Sequence, residues 1–195
     1  MHFVTDFADQ AVILPAAAIV LLVLLAIGWW RGALAWLVVV PATLGVVLAA
    51  KMTTMACQDL VPPVGLFSPS GHTASAALVY GGLLALLLGE AARSRLVTAL
   101  ACAAAVAMVV GYTRLALGVH TVADVVAGGA IGMAGVGALA LAAGARPARR
   151  RAWMGLAAAV VCAALLLHGR HVYAEMHIKQ ASHQIWPLTL CSTAD

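Results

Sequence analysis

Residues 68–124, SPSGHTASAALVYGGLLALLLGEAARSRLVTALACAAAVAMVVGYTRLALGVHTVAD, decide how this chain is built. They set two polar clusters, Ser68-Pro69-Ser70-Gly71-His72 and Thr113-Arg114 with His120 and Asp124, at the outer ends of two apolar runs. Each run is close to the roughly 20 residues that carry a helix across a bilayer. The first runs away from one cluster and the second returns, so both clusters are expected on the same membrane face.

The rest of the chain has the same character. Of its 195 residues 64% are hydrophobic and only 9% are charged, a composition that suits lipid-facing helices and excludes an ordinary soluble domain. Spans are expected at about 11–30, 33–50, 72–89, 96–112, 120–143 and 152–168, with residues 120–124 as the first turn of the fifth. The expected fold is all-α, a polytopic membrane bundle of about six transmembrane helices. It forms one domain over 1–195, with a motif core at 51–124 and an interfacial tail from about 169 to 195. The first run does not read as a cleaved signal, because residues 1–10 carry Asp6 and Asp9 and no Lys or Arg. Paired glycines such as Gly81-Gly82 and Gly128-Gly129 suit close helix packing in lipid.

Cations give the orientation. Arg31, Arg93, Arg95, Arg146, Arg149, Arg150 and Arg151 follow spans one, three and five, against Lys51, Arg114, Arg170 and Lys179 on the other side. The Arg-rich loops are therefore expected in the cytoplasm. That places both clusters on the periplasmic face of a bacterial inner membrane. The basic run at 146–151 reads as this topology signal, and no nucleic-acid partner is expected.

Cleaving a phosphoester calls for a nucleophile, an acid for the departing oxygen, and cations or amides around the phosphoryl oxygens. His120 and Asp124 stand four apart at an expected helix start and so share a face, letting the carboxylate hold one imidazole nitrogen while the other attacks. His72, beside Ser70 and Gly71 at another helix start, is placed to protonate a leaving alkoxide. Helix N-termini offer backbone N–H groups to an anion, and Lys51 and Arg114 add full charges. Taken singly, each of these reads as an interfacial polar residue or a cap, and Lys51 as a snorkelling lysine. Together on one face they read as a phosphate site, and Asp124 weighs most, since an acid just inside an apolar span needs a partner.

Residues 51–124 resemble the type-2 phosphatidic acid phosphatase superfamily, the lipid phosphate phosphatases related to vanadium haloperoxidases. That pattern is Lys, six residues and Arg-Pro; then Pro-Ser-Gly-His; then Ser-Arg, five residues, His, three residues, Asp. Pro69-Ser70-Gly71-His72 completes the second element, and Arg114, His120 and Asp124 complete the third with Thr113 in place of Ser. In the first element Gln58-Asp59 stand where the family has Arg-Pro.

The resemblance implies a membrane-embedded phosphatase of a lipid-linked phosphate or diphosphate, such as phosphatidic acid, phosphatidylglycerol phosphate, polyprenyl diphosphate or a lipid A phosphate. It implies His120 as a nucleophile that forms a phosphohistidine, Asp124 as its orienting partner and His72 as the acid. Lys51, Ser70, Gly71 and Arg114 would bind phosphate, with Thr113 and Gln58 at the two altered positions. It implies no metal and no cofactor, and its partners are the bilayer and a lipid phosphate. Loss of the family Arg removes a charge-assisted contact of about 1.5–3 kcal/mol. Two alternatives stay open: a lipid phosphotransferase using the same phosphohistidine, and a non-catalytic lipid-binding or assembly subunit.

Cys57 and Cys191 are both expected outside the membrane, where an oxidising compartment permits a disulfide between them. Cys102 and Cys162 read as small apolar fillers within spans. The tail, with His168, His171, Tyr173, His177, His183 and Trp186, reads as an interfacial amphipathic helix in preference to a metal set of His168, His171 and Glu175.

Overall fold

The computed structural model describes residues 1–56, 68–88, 92–147, 150–172 and 178. Among these residues every regular element is a helix: α1 His2–Asp6, α2 Gln10–Ala26, α3 Trp30–Ala56, α4 Gly71–Leu88, α5 Ala92–Ala116, α6 Val122–Ala142 and α7 Arg150–Leu167. Stretches within α3, α4, α5 and α6 are long and apolar enough to cross a bilayer, and α2 and α7 are shorter apolar helices. The six long helices fall on the six expected spans, and the short α1 precedes them. This is a polytopic helical membrane protein.

Helix α4 is the centre of the bundle, packed most extensively against α5 and α6. Its run of Ala, Ser, Thr and Gly leaves little side chain between backbones, and residues 73–79 and 81–83 are buried. Lipid tails give helices no hydrophobic reason to associate, so such close backbone approach supplies the packing. Gly128 of α6 meets backbone at the polar end: a Cβ there would stand 2.4 Å from the Ser70 carbonyl oxygen. Outward faces carry exposed Leu22, Leu34, Leu37, Met108, Leu141 and Leu166, as a lipid-facing surface should.

One end of the bundle is tied by arginines. Arg31 Nε donates to the Ala142 carbonyl, Arg95 to that of Gly144, and Arg146 to those of Leu86 and Leu87. These carbonyls belong to the last turns of α4 and α6 or lie just beyond, where helical backbone lacks internal donors. Residues counted above as an orientation signal thus also cap helices. The same contacts bring the α2–α3, α4–α5 and α6–α7 connections to one end, which leaves both polar clusters at the other.

Three expected boundaries need correction. Helix α3 continues through Lys51 to Ala56, so Lys51 is within a helix and not at its end. Helix α5 runs on to Ala116 and contains Thr113 and Arg114 in its final turn. Helix α6 starts at Val122, which puts His120 before the helix and not in its first turn. The likeness of His120 and Asp124 to two residues on one helical face therefore fails, and a different local device pairs them.

Gly128→Ala should destabilise the protein by about 1–3 kcal/mol through overpacking against the α4 backbone. Gly45→Ala, facing open space on α3, should leave stability level or raise it. Thermal unfolding of the two variants in detergent micelles distinguishes them, and equal midpoints would show that the α4–α6 approach is not tight.

Candidate active site

Asp124 is the residue from which this end is built. It lies in the first turn of α6 and is 2% exposed. Thr121, in extended conformation, caps the helix: its hydroxyl accepts from Asp124 N at 3.2 Å, while Asp124 Oδ2 accepts from Thr121 N at 3.0 Å. This reciprocal capping box fixes the carboxylate against its own backbone. The other oxygen, Oδ1, accepts from Ser68 N at 2.8 Å, so the two sequence clusters are joined through one carboxylate.

His120 is set from both sides. Upstream, α5 ends in a Schellman turn, with Gly118 N donating to Leu115 O at 2.9 Å and Val119 N to Arg114 O at 3.3 Å. The motif needs a left-handed residue, and Gly118 supplies it at φ +66°. Downstream, the cap at Thr121 begins α6. Between them His120 Nδ1 stands 3.4 Å from Asp124 Oδ2, and the side chain is 5% exposed. The carboxylate faces Nδ1 and leaves Nε2 as the nitrogen on the far side of the ring.

The first cluster meets the same frame. Ser70 N donates to the Asp124 carbonyl at 2.9 Å, and the buried Ser70 hydroxyl accepts from Thr73 Oγ1 at 2.9 Å at the start of α4. Lys51 is 5% exposed, with Nζ donating to Ser68 Oγ at 3.2 Å. Its stem crosses Gly71, where a Cβ would lie 3.2 Å from Lys51 Cε. A snorkelling lysine would reach for water; this one turns inward. Arg114, in the last turn of α5, is 8% exposed.

Lys51, Gly71, His72 and Arg114 line one cavity of about 420 Å³. Its lining also includes the N-terminal residues Thr5, Asp6, Asp9 and Gln10 and apolar Leu44, Val47 and Leu48, which precede Lys51 on α3. His120, Asp124, Ser70 and Thr113 are not part of that lining. The Thr113 hydroxyl bonds the Val110 carbonyl at 2.7 Å and meets Thr5 Oγ1 at 2.8 Å, which docks α1 on α5. Gln58, Cys57, Cys191 and the tail beyond Val172, apart from Ile178, lie outside the described residues.

The N-terminal contribution was missed from sequence. Gln10 Nε2 donates to Ser75 Oγ of α4 at 3.2 Å, Asp9 Oδ2 stands 3.9 Å from His72 Nε2, and Tyr80 Oη donates to Phe7 O at 2.7 Å. An Asp directly before an apolar run is a helix N-cap signal, but nothing local shows which histidine it would face. His168, expected in the interfacial tail, directly follows α7 and bonds Phe3 O at 2.9 Å, with its ring 4.5 Å from those of Phe3 and Phe7.

A buried carboxylate on an imidazole, and a lysine and an arginine beside a second imidazole, thus gather at one end of a bundle of apolar membrane helices. The PAP2 superfamily model matches residues 52–148, about half of the chain, and the chain belongs to that superfamily. Membership supports phosphatase activity on phosphate esters. No curated protein and no solved structure matches the chain significantly.

Asp124→Ala should cost at least about 2 kcal/mol, because it leaves the Ser68 and Thr121 N–H groups without their acceptor. Denaturation in micelles against Asp6→Ala, a change at a more exposed carboxylate, checks this. Equal loss in the two variants would remove Asp124 from its structural role.

Proposed function

We propose that this protein removes phosphate from a lipid-linked phosphate or diphosphate at one face of a membrane, through a phosphohistidine on His120. The observation that carries the reading is the Asp124 carboxylate shared between His120 Nδ1 and Ser68 N. It fixes the nucleophile's ring to the same loop that Lys51 holds through Ser68.

In the first half-reaction, His120 Nε2 attacks phosphorus. The bond from phosphorus to the leaving oxygen breaks with its electron pair on oxygen, and His72 supplies the proton. Lys51, Arg114 and the backbone N–H groups at the start of α4 balance charge on the phosphoryl oxygens. In the second, water attacks the phosphohistidine and gives a proton to His72, and inorganic phosphate leaves with His120 restored. Asp124 stays ionised and holds the ring in one tautomer throughout.

A lipid substrate is supported by the cavity's apolar wall. Leu48 lines the cavity and is 43% exposed, in line with Leu44 and Val47 on α3. An alkyl chain can lie along that wall while its headgroup meets the cations. The distribution of arginine supports an orientation with this face away from the cytoplasm, which in a bacterial inner membrane is the periplasmic side.

Full-length protein and His120→Ala, compared over a panel of phosphatidic acid, phosphatidylglycerol phosphate, polyprenyl diphosphate and a lipid A phosphate, test the proposal. The variant should lose turnover by about a thousandfold or more, and an acid-labile phosphoenzyme should form in wild type alone. Equal hydrolysis by both proteins sinks the mechanism. Product that requires an added hydroxyl acceptor would assign phosphotransfer in place of hydrolysis.

A further inference from the structure

The steps above leave one buried acid without a role. Asp9 precedes α2, is 5% exposed and lines the cavity with Lys51, His72 and Arg114. Its Oδ1 accepts two backbone N–H groups, from Ala11 at 2.9 Å and from Val172 at 3.0 Å. Its Oδ2 faces two imidazoles, with His72 Nε2 at 3.9 Å and His171 Nδ1 at 3.6 Å. A carboxylate removed from water needs such partners, since burial of the charge costs several kcal/mol otherwise.

We propose that Asp9 is a positioning residue for His72, holding the acid imidazole by one nitrogen so that the opposite nitrogen delivers its proton to the leaving oxygen. This rests on His72 being the acid of the proposed reaction. The separation of 3.9 Å is an ion-pair distance, longer than a hydrogen bond. Catalytic contacts of this kind commonly tighten when substrate arrives.

Electrostatics give the carboxylate a reason to be there. Lys51 and Arg114 line the same cavity and oppose a positive charge on His72, and His2 and His171 also face it. Asp9 offsets those cations at the acid, with Asp6 as the second anion, 4.0 Å from His171 Nε2. The proton passes from His72 to the leaving oxygen, then from the attacking water to His72.

The N-terminal segment is held firmly enough for this task. Thr5 meets Thr113 at 2.8 Å, Gln10 Nε2 donates to Ser75 Oγ at 3.2 Å, and Phe7 O accepts from Tyr80. These contacts anchor residues on both sides of Asp9 to α4 and α5.

Asp9→Asn is the informative variant because Asn caps a helix as well as Asp does. It keeps the α2 N-cap while removing the charge. Full-length wild type, Asp9→Asn, Asp9→Glu, His72→Ala and His120→Ala are assayed on two phosphate monoesters, a long-chain alkyl ester and a nitrophenyl ester. The alkoxide needs a proton as it leaves, and the nitrophenolate does not.

Asp9→Asn and His72→Ala should each lower kcat/KM, which reports the phosphorylation half-reaction alone, by about 10- to 100-fold on the alkyl ester and far less on the nitrophenyl ester, with partial recovery in Asp9→Glu. Equal slowing of both esters by Asp9→Asn, or no slowing of either, overturns the role of Asp9 while His72→Ala still separates them. If His72→Ala shows no leaving-group dependence, the acid assignment fails and takes this proposal with it. Retained turnover in His120→Ala rejects the phosphohistidine instead. A wild type that cleaves neither ester overturns both.

Discussion

Burying an ionised carboxylate among apolar helices costs several kcal/mol unless its lone pairs find donors, and at Asp124 the donors come from separate parts of the chain. Thr121 N belongs to the cap of α6, Ser68 N to the segment entering α4, and His120 Nδ1 to the turn leaving α5. Satisfying that one charge therefore ties two connections together, the segment between α3 and α4 at Ser68 and the turn between α5 and α6 at His120 and Thr121. Gly128 permits it, because any side chain one helical turn further along α6 would meet the Ser70 carbonyl. The packing of α4 on α6 and the geometry of the polar end are one constraint seen from two sides.

The two ends of the bundle use positive charge differently. At one end Arg31, Arg95 and Arg146 bond carbonyls at the ends of α4 and α6, which completes helices. At the other, Lys51 and Arg114 are buried beside a cavity that also holds His72. A guanidinium on a carbonyl is a structural contact. A lysine turned inward over Gly71, beside a space large enough for a headgroup, is the arrangement expected where an anion is to be received.

Much of this was legible because its signals are local. Apolar length located the six long helices, while two further local signals, the Thr121-x-x-Asp124 capping box and the helix end at Gly118, were passed over when the fifth span was started at residue 120. The convergence of the two clusters followed from counting spans. What the sequence hid depends on contacts between distant elements. The extension of α3 past Lys51 was obscured because Lys51-Met52-Thr53-Thr54 looks like a polar exit from the membrane, while in the fold the helix continues and buries the lysine. Asp9 gave a cap signal, but its facing of His72 has no local signature. The pairing of His120 with Asp124 was foreseen for the wrong reason: helical spacing suggested it, and a turn followed by a cap produces it.

Asp9 and Asp124 share a design that follows from the membrane itself. Within a bilayer, helical backbone satisfies its own hydrogen bonds, so unsatisfied N–H groups occur at helix ends alone. Both carboxylates sit there, Asp9 as the N-cap of α2 and Asp124 in the first turn of α6, where the helix dipole favours negative charge. Asp9 directs Oδ1 to two backbone N–H groups and Oδ2 toward imidazoles, while Asp124 accepts one backbone N–H on each oxygen and brings Oδ2 near an imidazole. Anchoring by the backbone leaves each carboxylate little freedom to rotate, so the histidine it faces inherits a fixed direction. Chemistry in such a protein has to gather at the end of the bundle, where caps are available, and an apolar substrate has to approach from the side. The wall of Leu44, Val47 and Leu48 lies where that approach would meet the cations.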